Sequence, residues 1–198
     1  MLCVKTAHCP SSRSRRTRQD IHRAALGLAR TRQVQEITVE QIAEAAGVSR
    51  RTFFNHFPTK NDVFIPDLDE VPPRALADFA SRRTPGLLDA VEELMVARME
   101  VLEQTVDDDG TGMEVVHGNP ELHPLLMARV HDFETAVREA AAQRLGVPGT
   151  SPDAVATACL VTSVERTVLG TWHAGPRRTP LSELVPPAVD GLRNALAG

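Results

Sequence analysis

Hydrophobic positions between Thr38 and Lys60 repeat at helical spacing in two runs that are separated by a short turn. The apolar side chains of the first run stand three or four residues apart, at Val39, Ile42, Ala43 and Ala46. This spacing places them on one face of a helix. Thr38 and Gln41 form a capping box in front of it, and Gly47 follows where a left-handed residue ends a helix.

A second helix is predicted to begin after Ser49, whose hydroxyl is a favourable N-cap. Phe53 and Phe57 lie four residues apart and are expected to face inward, towards Ile42 and Val48. Two short helices joined by a glycine-containing turn of three residues are typical of a helix-turn-helix. In that motif the second helix enters the major groove of DNA.

Polar side chains cover the rest of this second helix and its flanks. Arginine pairs with guanine and asparagine with adenine, while threonine contacts a thymine methyl group or a phosphate. We therefore predict the following DNA-binding residues: Thr38, Ser49, Arg50, Arg51, Thr52, Asn55, His56 and Lys60. The alternative is that Arg50 and Arg51 are merely a solvated surface pair.

Helical periods also dominate the remaining sequence, and no strand-like alternation of useful length occurs. Helices are expected over Thr17 to about Arg30, Lys60 to about Val71, Leu87 to Gln104, Pro120 to Leu145, Pro152 to about Trp172, and Pro180 to Leu196. Proline stands at the predicted start of several of them, where its missing N–H is harmless. The predicted fold is all-α, with an N-terminal helix-turn-helix domain of three helices and a C-terminal helical bundle.

Charge divides the chain in the same way. Residues 1–62 contain 11 Lys+Arg and 5 Asp+Glu, a net charge of +6, whereas the remainder contains 11 and 21, a net charge of −10. Such asymmetry favours a basic nucleic-acid-binding end on an acidic body. We expect a disordered tail over 1–14, a DNA-binding domain over 15–62, and a ligand-binding and dimerisation domain over 63–198.

Composition narrows the function classes further. The chain has no long apolar run and no hydrophobic signal segment, so a cytoplasmic protein without membrane contact is expected. Cys3, Cys9 and Cys159 imply no pairing. The histidines lack the spacing of a metal site, and no cofactor fingerprint is present, so neither a metal nor a cofactor is predicted.

The segment from Thr17 to Phe64 resembles the DNA-binding domain of the tetracycline-repressor (TetR) family. The matching residues are Ile21, Ala25, Thr38, Val39, Ile42, Ala43, Ala46, Gly47, Val48, Ser49, Thr52, Phe53, His56, Phe57 and Lys60. The resemblance implies a dimer that a small molecule releases from its operator. It also implies phosphate contacts from Thr38, His56 and Lys60, and base contacts from Arg50, Arg51, Thr52 and Asn55.

Two features depart from that family's pattern. Phe54 replaces the usual tyrosine, so a hydroxyl contact to phosphate is missing, and residues 35–37 replace a glycine-containing approach to the second helix. The body is similar to acyl-CoA-responsive repressors, including regulators of mycofactocin systems. That similarity, which implies an acyl-CoA as the ligand class, is carried by Arg51–Phe54, Phe57, Pro58, Lys60, Asn119–Leu122, Leu125, Leu126 and Arg144–Val147.

A lipophilic or amphipathic effector is expected in a mostly apolar pocket of the body. Its predicted lining is Met95, Arg98, Met99, Leu102, Met113, Val116, His117, Leu126, Val130, Phe133, Val164, Glu165 and Val168. Flexible methionines suit an adaptable cavity, and Arg98 is expected to neutralise an acidic ligand group. The alternatives are that the methionines fill an ordinary core and that Arg98 lies on the surface.

The last two long helices are predicted to form a homodimer. Their apolar or small residues are Val155, Ala158, Cys159, Thr162, Leu181, Leu184, Val185, Ala188, Val189, Leu192 and Leu196. A twofold dimer implies a pseudo-palindromic double-stranded DNA operator. Two rival classes are an enzyme, for which no nucleophile motif or phosphate loop is found, and a small-molecule-binding protein with a vestigial DNA module.

Overall fold

The computed structural model describes residues 12–66, 71–103, 111–176 and 178–197, and these ranges contain nine α-helices. They are α1 (Ser12–Ala29), α2 (Val39–Ala45), α3 (Arg50–His56), α4 (Pro73–Ala80), α5 (Leu87–Glu103), α6 (Thr111–Gly118), α7 (His123–Leu145), α8 (Pro152–Ala174) and α9 (Val185–Ala197). Single 3₁₀ turns stand at Val34–Glu36, Asn61–Phe64, Pro120–Leu122 and Ser182–Leu184. The all-α prediction is confirmed.

Unit 1 of the two compact units comprises residues up to Ile65 together with Thr111–Leu122. It contains α1, α2, α3 and α6, with α1 packed against α2 and α6. Its core consists of fully buried aliphatic and aromatic side chains from these elements: Ile21, Ala25, Leu26, Val34, Ile37, Ile42, Phe53, Phe57, Val63, Phe64, Val116 and Leu122. The short helices α2 and α3 are therefore held by packing rather than by intrinsic helix propensity.

Unit 2 comprises Pro66–Gly110 and His123–Gly198 and contains α4, α5, α7, α8 and α9. The two longest helices, α7 and α8, pack along each other, and α4, α5 and α9 cover them. The core includes Leu94, Met95, Met99, Leu102, Val137, Ala141, Val161, Val164, Val168, Val185 and Val189. Trp172 is also buried there, at 7% exposure.

Four expectations about the elements need correction. Where an α-helix was predicted from Lys60, Asn61–Phe64 form a 3₁₀ turn, and it ends because Ile65 precedes a proline and adopts the extended backbone that this position favours. Pro72 and Pro73 begin α4 rather than merely ending a helix. α1 begins at Ser12, inside the expected disordered tail. The segment Thr111–Leu122 groups with unit 1 because Val116 and Leu122 are buried there.

Some predictions lie outside the described residues, namely those for positions 1–11 with Cys3 and Cys9, and for Gln104. Cys159 is an exposed free thiol. Within the described ranges, no helix is long and apolar enough to cross a membrane. The same ranges contain no cluster of three or more His, Cys, Asp or Glu side chains that could hold a metal ion.

Candidate functional site

The helix-turn-helix is built by local capping. Thr38 Oγ1 accepts a hydrogen bond from the Gln41 amide at 3.2 Å, and the Thr38 amide donates to Gln41 Oε1 at 3.0 Å. Gly47 ends α2 with a φ of +66°, a conformation that glycine adopts without a Cβ penalty. The Val48 amide then donates to the Ala43 carbonyl at 2.9 Å. These bonds turn the chain from α2 into α3.

Ser49 caps the start of α3. Its Oγ accepts from the Thr52 amide at 3.0 Å and lies 2.8 Å from Thr52 Oγ1. The Thr52 hydroxyl is thus already engaged within the protein, and Thr52 is half-buried. Ser49 therefore has a structural part in holding the helix terminus, in addition to the DNA contact predicted for it.

Two aromatic side chains fix the rotation of α3 about its axis. Phe53 and Phe57 are buried, with ring centroids 5.6 Å apart, as the sequence predicted, while Val48 is only half-buried. Arg51 and Asn55, four residues apart, then lie on one exposed helical face. No group in the described residues hydrogen-bonds or ion-pairs with the Arg51 guanidinium. Both side chains are therefore open to solvent on the second helix of the helix-turn-helix.

Arg50 differs from its neighbour. Its Nη1 lies 3.1 Å from Glu40 Oε1 of α2, and both side chains are mostly exposed, at 67% and 60%. An ion pair this exposed contributes little free energy, about 0–1 kcal/mol. Arg50 is therefore only weakly restrained by Glu40.

The end of α3 is fastened by a residue that the sequence reasoning missed. Arg18 of α1 donates from Nη1 to the His56 carbonyl, and its guanidinium lies 4.2 Å from the centroid of the Phe57 ring. Burial and, less strongly, the Arg18 charge lower the pKa of His56 below its ordinary value of 6.5. Because Arg18 is 38 residues away from His56 in sequence, only the arginine-rich run 13–18 could have drawn attention to it.

Lys60 is partly used inside unit 1. Its Nζ donates to the carbonyls of Val34 and Gln35 at 2.8 and 3.3 Å, and so fixes the 3₁₀ turn that leads to α2. An ammonium group has three donors, which leaves one for a phosphate. Residues 35–37, where the sequence departs from the family pattern, are therefore held by this lysine and by burial of Ile37.

The side chains predicted to line an effector pocket fall into both compact units. Met113, Val116 and His117 belong to unit 1, where His117 is exposed. In unit 2 the buried members are Met95, Arg98, Met99, Leu102, Leu126, Phe133, Val164, Glu165 and Val168. Val130 is 37% exposed on α7, so it does not belong to the buried part of this set. It lies on the outward face of its helix.

Arg98 lies in the core rather than on the surface. Its Nε and Nη2 donate to Glu165 Oε1 at 3.0 and 2.7 Å, and its guanidinium stacks 3.6 Å from the Phe133 ring centroid. The Arg98 side chain is 1% exposed and that of Glu165 is 12% exposed. Glu165 therefore already balances the charge that was expected to neutralise an acidic ligand group.

A surface groove of about 490 Å³ lies elsewhere in unit 2. Its lining residues are Asp89, Glu92, Glu93, Val96, Ala97, Glu100 and Arg193. Arg193 Nη2 bridges Asp89 and Glu92. None of the predicted pocket residues lines this groove.

Comparison with known proteins decides the family. The profile described as "Bacterial regulatory proteins, tetR family" matches residues 21–65, and that described as "MftR C-terminal domain" matches residues 85–197, more than half of the chain. The chain belongs to the TetR family. The second match also confirms the subgroup resemblance of the body.

A comparison with a single known protein supports this family membership. The HTH-type transcriptional regulator TcmR of Streptomyces glaucescens is 31% identical over 142 residues, covering 67% of this chain. The matched region spans 62% of TcmR's own length. The chain is thus similar to a transcriptional regulator over most of its sequence.

Solved structures show the same fold. FadR, a fatty acid degradation regulator from Bacillus halodurans, matches with a TM-score of 0.54 at 18% identity, covering 88% of this chain and 93% of FadR. NalD from Pseudomonas aeruginosa matches with a TM-score of 0.54 at 21% identity, covering 90% and 97%. FadR from Bacillus subtilis, solved with stearoyl-CoA, matches with a TM-score of 0.51 at 14% identity, covering 86% and 95%.

Proposed function

We propose that this TetR-family regulator is a repressor that binds a pseudo-palindromic operator as a homodimer and is released by a lipophilic small molecule. The observation that carries the DNA-binding part is the exposed face of α3. Thr38 caps α2, Ser49 caps α3, and the buried Phe53 anchors α3 in the core of unit 1, while Arg51 and Asn55 stay exposed. Packed and capped support of this kind places the groups that contact bases accurately.

The proposed contacts divide by chemistry. Arg51 and Asn55 read base edges, with Arg50 joining them when it leaves Glu40. Thr38, His56 and Lys60 contact phosphates, which position the protein without reading sequence. The Thr38 hydroxyl oxygen already accepts from Gln41, but its proton remains available to a phosphate oxygen.

A homodimer through α8 and α9 is the second part of the proposal. Leu181 is buried ahead of α9, and Val185 and Val189 are buried on α9, yet the end of α9 leaves Leu196 74% exposed. On α8, Val155 and Cys159 are exposed. A second copy would cover these apolar and small side chains across a twofold axis. Sedimentation of the wild type as a monomer at micromolar concentration contradicts this part.

The effector is proposed to enter the apolar core of unit 2 between α5, α7 and α8. The buried Met95, Met99 and Phe133 give that region an adaptable apolar lining. The neutral Arg98–Glu165 pair favours a lipophilic or amphipathic molecule over a sugar or nucleotide. One such class is fatty acyl thioesters, and the Bacillus subtilis FadR structure contains stearoyl-CoA.

Two experiments test the proposal. Selection by the purified protein from a random duplex library should enrich a sequence with two inverted half-sites, and failure to enrich any sequence contradicts it. Acyl-CoAs titrated against the selected complex should then release DNA. To reverse occupancy from nearly full to nearly empty, the effector needs about 10⁴-fold preference for the non-binding conformation. If no lipophilic compound changes DNA affinity, the effector proposal is wrong.

A further inference from the structure

The first two turns of α1 carry a dense positive charge. Arg13, Arg15, Arg16 and Arg18 stand within six residues, and the first turn contains no acidic residue. The first three of these side chains are exposed. No carboxylate in residues 12–66, 71–103, 111–176 or 178–197 forms an ion pair with Arg13, Arg15 or Arg16.

This charge has the wrong sign for stabilising α1. The N-terminal end of a helix carries a partial positive charge, so cations there raise the free energy of the helix. Arg13, Arg15 and Arg16 therefore oppose the helix dipole, and no carboxylate of the described residues compensates them. A polyanion outside the protein would offset both the dipole repulsion and the mutual repulsion of the three guanidinium groups.

Arg18 fixes where this cluster lies within unit 1. It donates to the carbonyl of His56, the last residue of α3, and stacks on Phe57. Arg15 precedes Arg18 by three residues, or about 5 Å along the helix axis. The cationic turns of α1 therefore end, at Arg18, beside the C-terminal end of α3, whereas Arg51 lies near the N-terminal end of α3.

We propose that Arg13, Arg15 and Arg16 bind the DNA sugar-phosphate backbone next to the base pairs that α3 contacts. This inference rests on the proposed function and extends its footprint. The partner is duplex DNA because its phosphates offer a regular row of negative charges. These arginines read no sequence, and they add affinity only where flanking duplex is present.

The test compares two triple variants with equal charge change. One is Arg13→Gln, Arg15→Gln and Arg16→Gln, and its matched control is Arg23→Gln, Arg30→Gln and Arg32→Gln. All six positions lie in unit 1 on or just after α1. Binding is measured by fluorescence anisotropy as a function of salt, on the duplex that the wild type selects from a random library, with flanks of unrelated sequence.

The first variant should lower the slope of log affinity against log salt by about 2.7 for each bound protomer, since each phosphate contact contributes about 0.9. For each bound protomer, a fourfold dilution of salt then strengthens wild-type binding about 40 times more than that of the variant, and the two factors multiply in a bound dimer. The control triple should keep the wild-type slope. Removing the flanks should abolish the difference between wild type and variant.

Thermal unfolding without DNA separates a binding role from a structural one. Because glutamine relieves the dipole repulsion, the first variant should be at least as stable as the wild type. Replacing the same three arginines by lysine should preserve the salt slope. If both glutamine triples show equal salt slopes while the wild type does select a sequence, only this inference is overturned. Failure of the wild type to select any sequence overturns the proposed function instead.

Discussion

The buried Arg98–Glu165 pair gives the sharpest prediction about unit 2. Glu165→Ala removes the carboxylate that accepts from Arg98 Nε and Nη2, while the guanidinium stays in a position only 1% exposed. Breaking a buried pair from one side is expected to lower the free energy of unfolding by about 3–5 kcal/mol. For a chain of this size, that corresponds to a decrease in Tm of roughly 6–20 °C.

The double replacement Arg98→Met with Glu165→Leu should behave differently. It removes both charges and leaves apolar side chains of similar size, so neither an unbalanced charge nor a large cavity remains. Its stability is expected to lie within about 1 kcal/mol of the wild type or above it. Arg74→Ala is the matched surface control, because Arg74 pairs with Asp78 at 3.7 Å while 90% exposed.

Intrinsic fluorescence is a suitable assay for these variants. The chain has a single tryptophan, Trp172, which is buried in unit 2, so its emission follows the unfolding of that unit in urea. The surface control should change stability by less than about 1 kcal/mol. If Glu165→Ala is as stable as the double variant, the Arg98 charge is not held by Glu165 and the reasoning fails.

The remaining predictions concern unit 1. Gly47→Ala should lower the stability of unit 1 by about 1–2 kcal/mol because residue 47 has a positive φ. Gly27→Ala within α1 should raise it by about 0.5–1 kcal/mol. If the two substitutions change the hydrogen-exchange rates of the α2 and α3 amides equally, this prediction is contradicted. The pKa of His56 is lowered in the protein without DNA, and a phosphate beside the imidazole raises that pKa. DNA affinity should therefore rise as pH falls below 6.5. A His56→Gln variant that keeps this pH dependence refutes the assignment. Phe54→Tyr should tighten DNA binding about tenfold by adding a hydroxyl on the exposed side of α3, and unchanged affinity in a gel shift contradicts that.

Local sequence signals were sufficient for the helix-turn-helix. The caps at Thr38 and Ser49, the left-handed Gly47 and the inward Phe53 and Phe57 all depend on neighbours within four residues. Proline signals were ambiguous, since proline both ends one helix and begins the next. That ambiguity is why α4 was not predicted.

Contacts between distant positions could not be read from periodicity. Arg98 and Glu165 are 67 residues apart and Lys60 is 26 residues from Val34. A helical pattern shows which face is apolar, but not which polar group on another element a charged side chain meets. For this reason the sequence predicted only a phosphate contact for Lys60 and a ligand contact for Arg98.

The central claim, that α3 reads DNA sequence, is tested most directly by exchanging one arginine at a time. Arg51→Ala and the control Arg32→Ala remove the same charge from exposed positions of unit 1. On the selected duplex, Arg51→Ala should weaken binding by about 5–150-fold and relax specificity at one base pair. Arg32→Ala should change neither property. Equal affinity and unchanged base preference in both variants would contradict the account.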